Sequence, residues 1–139
     1  MSGDRGINGN RVAILYDADC GFCRWSLAKV LAWDRSRRLR PVAISSAAGD
    51  RLLGDLSEEE RRASWHLVDA DGRRRSAGEA GAALLRTLSG GAPLAVLLER
   101  FPSATEGAYA WVVANRGRLG RLIPAGATRR ADARIRQRN

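Results

Sequence analysis

The chain contains very little cysteine, histidine and lysine, and these shortages exclude several classes of protein. Its 139 residues hold two cysteines, one histidine and one lysine. Two cysteines do not make the dense disulfide framework of small secreted domains. No apolar run approaches the roughly 20 residues of a membrane-spanning helix, so we expect no membrane insertion. The length and the hydrophobic fraction of 45% instead indicate one globular domain with its own core.

The first ten residues, MSGDRGINGN, lack the apolar segment of a secretory signal. We expect residues 1–10 to be a flexible lead-in and the protein to be cytoplasmic. Cytoplasmic thiols are kept reduced, so a purely structural disulfide is unusual there. Two cysteines three positions apart therefore indicate redox or metal chemistry.

Positive charge is concentrated at the C-terminal end. The net charge is +9, and residues 116–139 carry eight arginines and one acid, Asp132, which gives +7 of that total. We predict a domain over residues 11–125 and a basic, disordered tail over residues 126–139, dispensable for the fold, because the tail has little hydrophobic content. The tail is either simply solvated or contacts an acidic partner or nucleic acid. Nucleic acid is the less favoured partner, because no aromatic residue interleaves these arginines.

The hydrophobic pattern predicts strands that alternate with helices. Strands are predicted at residues 11–16, 40–45, 65–69 and 73–76, and helices at residues 22–33, 57–63, 76–88, 94–100 and from 103 to about 116. Pro41 removes a ladder donor and indicates an edge strand, whereas Asp71-Gly72 indicates a hairpin. Capping boxes are predicted at Ser57, Ser76 and Ser103, each with a glutamate three residues on. The order predicts an α/β fold, a mixed sheet of about four strands flanked by helices, with extra C-terminal helices.

Cys20 and Cys23 lie where the first predicted strand gives way to the first helix. Free N–H groups and the positive dipole end of a helix lower the pKa of a thiol there. The spacing sets the two residues about one turn apart, within reach of a disulfide. We predict that Cys20, at the tip, attacks and that Cys23, buried one turn inward, resolves the mixed disulfide. The alternatives are half of a zinc site shared between two copies, and an inert pair of core thiols.

The run YDADCGFC, residues 16–23, resembles the D-x-x-C-x-x-C signature of the DCC family of thiol-disulfide oxidoreductases. The resemblance extends over about residues 11–123 and includes the segments WHLVDADG and AYAWVVANRGRLGRL. It implies a thioredoxin-like fold and dithiol–disulfide exchange. The family's motif residues correspond to Asp17, Cys20 and Cys23, and no cofactor is implied besides the redox-active cysteine pair.

One feature departs from ordinary thioredoxins. Those proteins place a cis-proline opposite the CxxC motif, just before the third strand. Here that position falls near Ser64 and Trp65, and no proline occurs between Pro41 and Pro93. We therefore expect the substrate chain to be gripped differently.

Several residues near the cysteines have two interpretations. Asp17 is either a proton acceptor for Cys23 or a turn-forming aspartate. Asp19 is favoured as the helix cap. Arg24 either steadies the Cys20 thiolate or is a solvated surface arginine. The remaining aromatic and histidine side chains are predicted to be packed in the core: Trp25, Trp33, Trp65, His66 and Trp111.

The sequence thus predicts a protein-disulfide reductase. Its partners would be a disulfide-containing protein or small-thiol substrate and an electron donor. The alternative function is a non-catalytic thioredoxin-like binding module whose basic tail contacts nucleic acid or an acidic partner.

Overall fold

A computed structural model describes residues 11–63, 65–88 and 90–138, and its centre is a four-stranded mixed sheet. The strands are β1 (Val12–Tyr16), β2 (Leu39–Ala43), β3 (His66–Val68) and β4 (Arg74–Ser76), in the order β2-β1-β3-β4. β1 is parallel to β2 and antiparallel to β3, which pairs antiparallel with β4. The predicted mixed sheet is confirmed. The predicted lead-in, residues 1–10, lies outside the described residues.

Seven helices accompany the sheet in the described parts of the chain. They are α1 (Gly21–Trp33), α2 (Ala47–Leu52), α3 (Glu58–Ala63), α4 (Ala77–Thr87), α5 (Ala92–Arg100), α6 (Pro102–Arg121) and α7 (Ala125–Gln137). The arrangement is a thioredoxin-like α/β fold with extra C-terminal helices, as predicted. Across residues 11–138, apart from the two undescribed positions, no helix is long and apolar enough to cross a membrane.

The core lies on both faces of the sheet because successive strand residues point to opposite sides. Ile14 and Tyr16 of β1 face α1, α4 and α7, whereas Ala13 and Leu15 face α2 and the segment that follows it. The first cluster also contains Leu27, Leu31, Leu39, Leu67, Ala80, Leu88 and Ile135, and the second contains Val42, Ile44, Leu53 and Val68. Helices therefore cover both sides of β1 and fix the point where this strand ends.

Local sequence signals place the sheet edge and the hairpin correctly. β2, which contains Pro41, is an edge strand. In the β3–β4 turn, Gly72 adopts φ = 84°, a conformation that favours glycine. The Asp69 carboxylate accepts hydrogen bonds from the N–H groups of Asp71 and Arg73, both at 3.0 Å. The predicted hairpin is confirmed.

The predicted capping boxes have different outcomes. At α3, Ser57 and Glu60 exchange hydrogen bonds of 3.1 and 3.3 Å, as predicted. At α4, Ser76 makes no cap bond, because its hydroxyl lies 2.6 Å from Nδ1 of His66. His66 is buried, as predicted, and burial lowers the pKa of its imidazole. The box at Ser103 is wrong, since α6 already begins at Pro102.

The prediction from the sequence omits α2 and ends α6 too early. α2 is capped by Ser46, whose hydroxyl accepts a hydrogen bond of 3.1 Å from the Gly49 N–H. α6 continues through Gly117 and Gly120, where the glycines were expected to end regular structure. Gly120 lies against the first turn of α1: a Cβ atom there would be 3.5 Å from the Phe22 nitrogen. An alanine would also fit at this distance, so the contact between the two helices does not depend on glycine, and Gly120 does not break α6.

The prediction of a disordered tail over residues 126–139 is wrong. The chain forms α7 from Ala125 to Gln137, and this helix packs along α1. Ala131 and Ile135 are buried one turn apart, at 3% and 4% exposure, while Arg134, between them, is exposed. Two buried apolar residues with helical spacing hold α7 against the domain because polar contacts add to their packing. Asn139 lies outside the described residues.

The strongest of these polar contacts joins Arg138 to Asp34, which is 1% exposed. Nη1 of Arg138 donates to the Asp34 carboxylate at 2.8 Å, and Nη2 donates to the carbonyls of Leu31 and Asp34. The same carboxylate accepts the backbone N–H groups of Arg38 and Leu39 at 3.1 and 2.9 Å. This ion pair therefore ties together the end of α1, the start of β2 and the end of the chain.

Candidate active site

The two cysteines lie at the start of α1, directly after the turn that follows β1. Cys20 is the N-cap residue: its backbone is extended, and its Sγ accepts a hydrogen bond of 3.3 Å from the Cys23 N–H. A sulfur thus takes the place of the usual capping oxygen. The prediction that Asp19 caps the helix is wrong. An amide donor and the positive end of α1 therefore both point at the Cys20 sulfur.

The two thiols differ in burial. Both are free in this structure, Cys20 half-buried and Cys23 only 3% exposed. Burial, together with the hydrogen bond to Cys20 and the charge of that sulfur, raises the pKa of Cys23 to about 12. Arg116 and a hydrogen bond from the Trp65 side chain act in the opposite direction. Cys23 therefore keeps its proton at neutral pH while the pair is reduced.

Asp17 begins the turn before the cysteines and has two polar neighbours. Its Oδ1 accepts a hydrogen bond of 3.0 Å from the Asp19 N–H, which fits the turn-forming interpretation. Its Oδ2 lies 4.0 Å from Nη2 of Arg116. The Asp17 side chain is 14% exposed, so water still reaches it. The carboxylate is thus part of the turn and also faces Arg116, whose charge acts on Cys23.

Arg116 is the site residue that the sequence did not single out. It lies on α6, and its Nη1 donates a hydrogen bond of 3.0 Å to the Arg62 carbonyl, which holds the guanidinium in place. In the sequence it is one of eight C-terminal arginines and lies in the segment AYAWVVANRGRLGRL of the family resemblance, which assigns it no role. No spacing rule links a residue on the sixth helix to a motif on the first, so only the folded structure reveals the contact.

Arg24, one residue after Cys23, forms an ion pair with α7. Its Nη1 contacts both carboxylate oxygens of Asp132 on α7, at 3.1 and 3.2 Å. The guanidinium is therefore neutralised by α7. The interpretation of Arg24 as the residue that steadies Cys20 is not supported by this geometry.

A small pocket opens beside Cys23. It measures about 220 Å³ and lies between α1, α6 and the start of β3. Its lining consists of Phe22, Cys23, Ser26, Trp65, Tyr109, Val112, Val113 and Arg116. Tyr109 holds the wall at Trp65, because its hydroxyl accepts a hydrogen bond of 2.7 Å from the Trp65 N–H. Trp65 stands near the position of the thioredoxin cis-proline; Ser64, the other residue named there, lies outside the described residues.

Among the other predicted core residues, the outcomes are mixed. Trp25 and Trp65 are half-buried. Trp33 and Trp111 are exposed, at 37% and 60%, so their prediction as core residues is wrong. The described residues contain no cluster of three His, Cys, Asp or Glu side chains that could hold a metal ion. His66 uses both ring nitrogens on Ser76 and on the Arg61 carbonyl.

Comparison with known proteins gives one match. A family model described as DCC1-like thiol-disulfide oxidoreductase matches residues 14–122. No curated protein and no solved structure matches the chain. The matched region includes Asp17, both cysteines and Arg116, and it ends before α7 begins.

Proposed function

This chain belongs to the DCC1-like thiol-disulfide oxidoreductase family, and on that premise we propose that it is a protein-disulfide reductase in which Cys20 attacks and Cys23 resolves. The observation that carries the proposal is the contrast between the two sulfurs. Cys20 is accessible and faces an amide donor at the helix start, whereas Cys23 is buried and its pKa is raised to about 12. Cys20 is thus suited to attack the substrate, and Cys23 stays protonated until it resolves the mixed disulfide.

In the first step the Cys20 thiolate attacks one sulfur of the substrate disulfide. A bond forms between Cys20 and that sulfur as the substrate S–S bond breaks, and the other substrate sulfur leaves as a thiolate that takes a proton from water. The protein and the substrate are then joined by a mixed disulfide. The N–H of Cys23, 3.3 Å from the Cys20 sulfur, donates a hydrogen bond to the attacking atom of this step.

In the second step Cys23 loses its proton and attacks the Cys20 sulfur. The Cys20–Cys23 disulfide forms, the second substrate thiolate leaves and takes a proton, and two electrons have passed to the substrate. Two causes of the raised Cys23 pKa, its hydrogen bond to Cys20 and the charge of that sulfur, disappear once Cys20 is in a mixed disulfide. Arg116 and Trp65 still favour the Cys23 thiolate. We propose Asp17 as the proton acceptor, reached through water.

The cycle closes when a thiol reductant returns two electrons to the Cys20–Cys23 disulfide. The cysteine pair is the only redox group that this proposal requires. A reduced thiol pool, such as that of the cytoplasm, keeps the equilibrium on the side of the dithiol. We therefore place the protein in the cytoplasm as part of the same proposal.

The first test is whether Cys20 and Cys23 convert reversibly between a dithiol and a disulfide. We expect mild oxidation to remove two hydrogens from the protein mass and a dithiol reductant to restore them. With that reductant as electron donor, the protein should reduce a disulfide-linked peptide catalytically. Peptide mapping should locate the bond between Cys20 and Cys23. Binding of zinc by the pair in place of disulfide formation would contradict the proposal.

The second test concerns Arg116. Because its charge lowers the pKa of Cys23, Arg116→Gln should raise that pKa further and slow the second step by about tenfold per pKa unit. Rapid-quench experiments should show a longer-lived mixed disulfide, with a pH profile of resolution shifted upward. Arg118→Gln removes an exposed charge from the same helix and serves as the control. Equal resolution rates in the two variants would exclude a role for Arg116.

A further inference from the structure

A smaller depression lies between α1 and α7, on another face of the redox helix from the pocket beside Cys23. Its volume is about 170 Å³. Trp25 and Lys29 of α1 and Arg130 and Arg134 of α7 surround it, and four alanines complete its lining. We call this depression the basic groove. It combines three cations with one aromatic ring, and no carboxylate lines it.

The three cations of the basic groove lack acidic partners. Among the described residues, no carboxylate forms an ion pair with Lys29, Arg130 or Arg134, although seven other arginines of the chain form such pairs. The nearest acid along α7, Asp132, is already paired with Arg24. Arg130 and Arg134 are one turn apart, so their side chains lie on the same face of α7. The groove therefore carries a concentrated positive charge that nothing within the described fold neutralises.

Its position relates it to the thiols. Trp25 and Lys29 follow Cys20 by five and nine residues, and α1 connects them without a break. The α1 side of the groove ends at Ala32, so at 1.5 Å per residue it begins about 8 Å from the reactive end of the helix and extends to about 18 Å from it. A bound segment of that length would leave a neighbouring cysteine within reach of Cys20.

We propose that the basic groove binds a carboxylate-rich segment of the protein substrate, so that disulfides flanked by acidic residues are reduced preferentially. This inference rests on the proposed function. Positive charge beside a reactive group raises the encounter rate with acidic partners by 10-fold or more at low salt. Alanines at the base of the groove leave room for a peptide to lie against the helices.

An acidic protein fits the groove better than a nucleic acid does. The one aromatic ring of the groove is Trp25, and Nζ of Lys29 lies 5.6 Å from its centroid. The cation thus covers a ring face on which a base would have to stack. A nucleic acid also offers no disulfide to the neighbouring thiols. Carboxylates satisfy the three cations without needing the ring.

The experiment compares three disulfide peptides of equal length, whose cysteines are flanked by Glu, Gln or Lys. We expect the highest kcat/KM for the Glu peptide at low salt. The triple variant Lys29→Gln, Arg130→Gln, Arg134→Gln should lower that value about tenfold and leave the Gln peptide unchanged. The matched control removes three exposed arginines elsewhere, by Arg51→Gln, Arg73→Gln and Arg100→Gln, and changes the net charge equally. It should lower the value less than twofold.

A binding measurement separates this inference from the proposed function. A labelled Glu-rich peptide without cysteine should bind the wild type and the control variant, but bind the groove variant at least tenfold more weakly. Turnover of all three peptides at equal rates, or equal binding by the two triple variants, would overturn the groove as an acidic site. Tighter binding of a single-stranded oligonucleotide that displaces the peptide would assign the groove to nucleic acid instead. Loss of all turnover with intact peptide binding would overturn only the proposed chemistry.

Discussion

Ending the chain after Pro124 is expected to lower the free energy of unfolding by about 5 kcal/mol or more, against the roughly 5–15 kcal/mol that a typical domain has. The loss has two main sources. Burial of a side chain such as Ile135 contributes about 1.5–3 kcal/mol. Removal of Arg138 leaves Asp34 buried without its cation, and breaking a buried pair in this way costs about 3–5 kcal/mol. Urea unfolding followed by tryptophan fluorescence measures the change.

The control keeps the full length and removes two exposed arginines of the same helix, by Arg129→Gln and Arg136→Gln. It should change the stability by no more than about 0.5 kcal/mol. If the truncated protein does not accumulate in folded form, Ile135→Ala in the full chain isolates the packing contribution, at about 2–5 kcal/mol. A truncated protein that melts at the wild-type temperature would show that α7 does not stabilise the domain.

Replacing either cysteine is expected to abolish catalytic turnover, but for different reasons. Cys20→Ser removes the attacking sulfur, and we expect activity to fall by about a thousandfold or more, with no covalent adduct to the substrate. Cys23→Ser keeps the attack but removes the resolving sulfur. This variant should accumulate a mixed disulfide through Cys20, visible as a reductant-sensitive band on a non-reducing gel.

Alkylation of the reduced wild type provides the matched measurement. Because the pKa of Cys23 is raised to about 12 and the residue is 3% exposed, iodoacetamide at pH 7 should label Cys20 first. Labelling of Cys23 should increase only as the pH rises toward its pKa. Earlier labelling of Cys23, or a mixed disulfide trapped by Cys20→Ser, would reverse the two roles.

Features that depend on neighbouring residues could be predicted from the sequence. The apolar run of β1, the turn after it and the CxxC spacing place the cysteines at a helix start. Pro41 indicates an edge strand because a missing N–H is a local property. Asp71-Gly72 indicates a hairpin because only a few residues accept the turn's backbone angles. The burial of Cys23 follows from its place one turn inside an apolar helix.

Features that depend on distant parts of the chain could not be predicted. Arg116 reaches the site from α6, and although its segment takes part in the family resemblance, the sequence does not show which arginine of that segment lies near the cysteines. α7 has few apolar residues, so composition alone indicates disorder, and its partners Arg24 and Asp34 lie more than 100 residues away. The missing cap bond at Ser76 also depends on tertiary structure. The Ser76 hydroxyl is hydrogen-bonded to His66 of the neighbouring strand instead.

The contacts between α1 and α7 also set an order of events during synthesis. The partners of Arg24 and Asp34 are Asp132 and Arg138, which lie 108 and 104 positions later in the chain. At about 5–20 residues per second, a ribosome needs roughly 5–20 s to make that stretch. During this interval the nascent chain carries its CxxC motif on a helix without its last packing partner. The helix that carries the dithiol therefore completes its packing only after α7 has been made, although the cysteines themselves lie against α6 on another face of that helix.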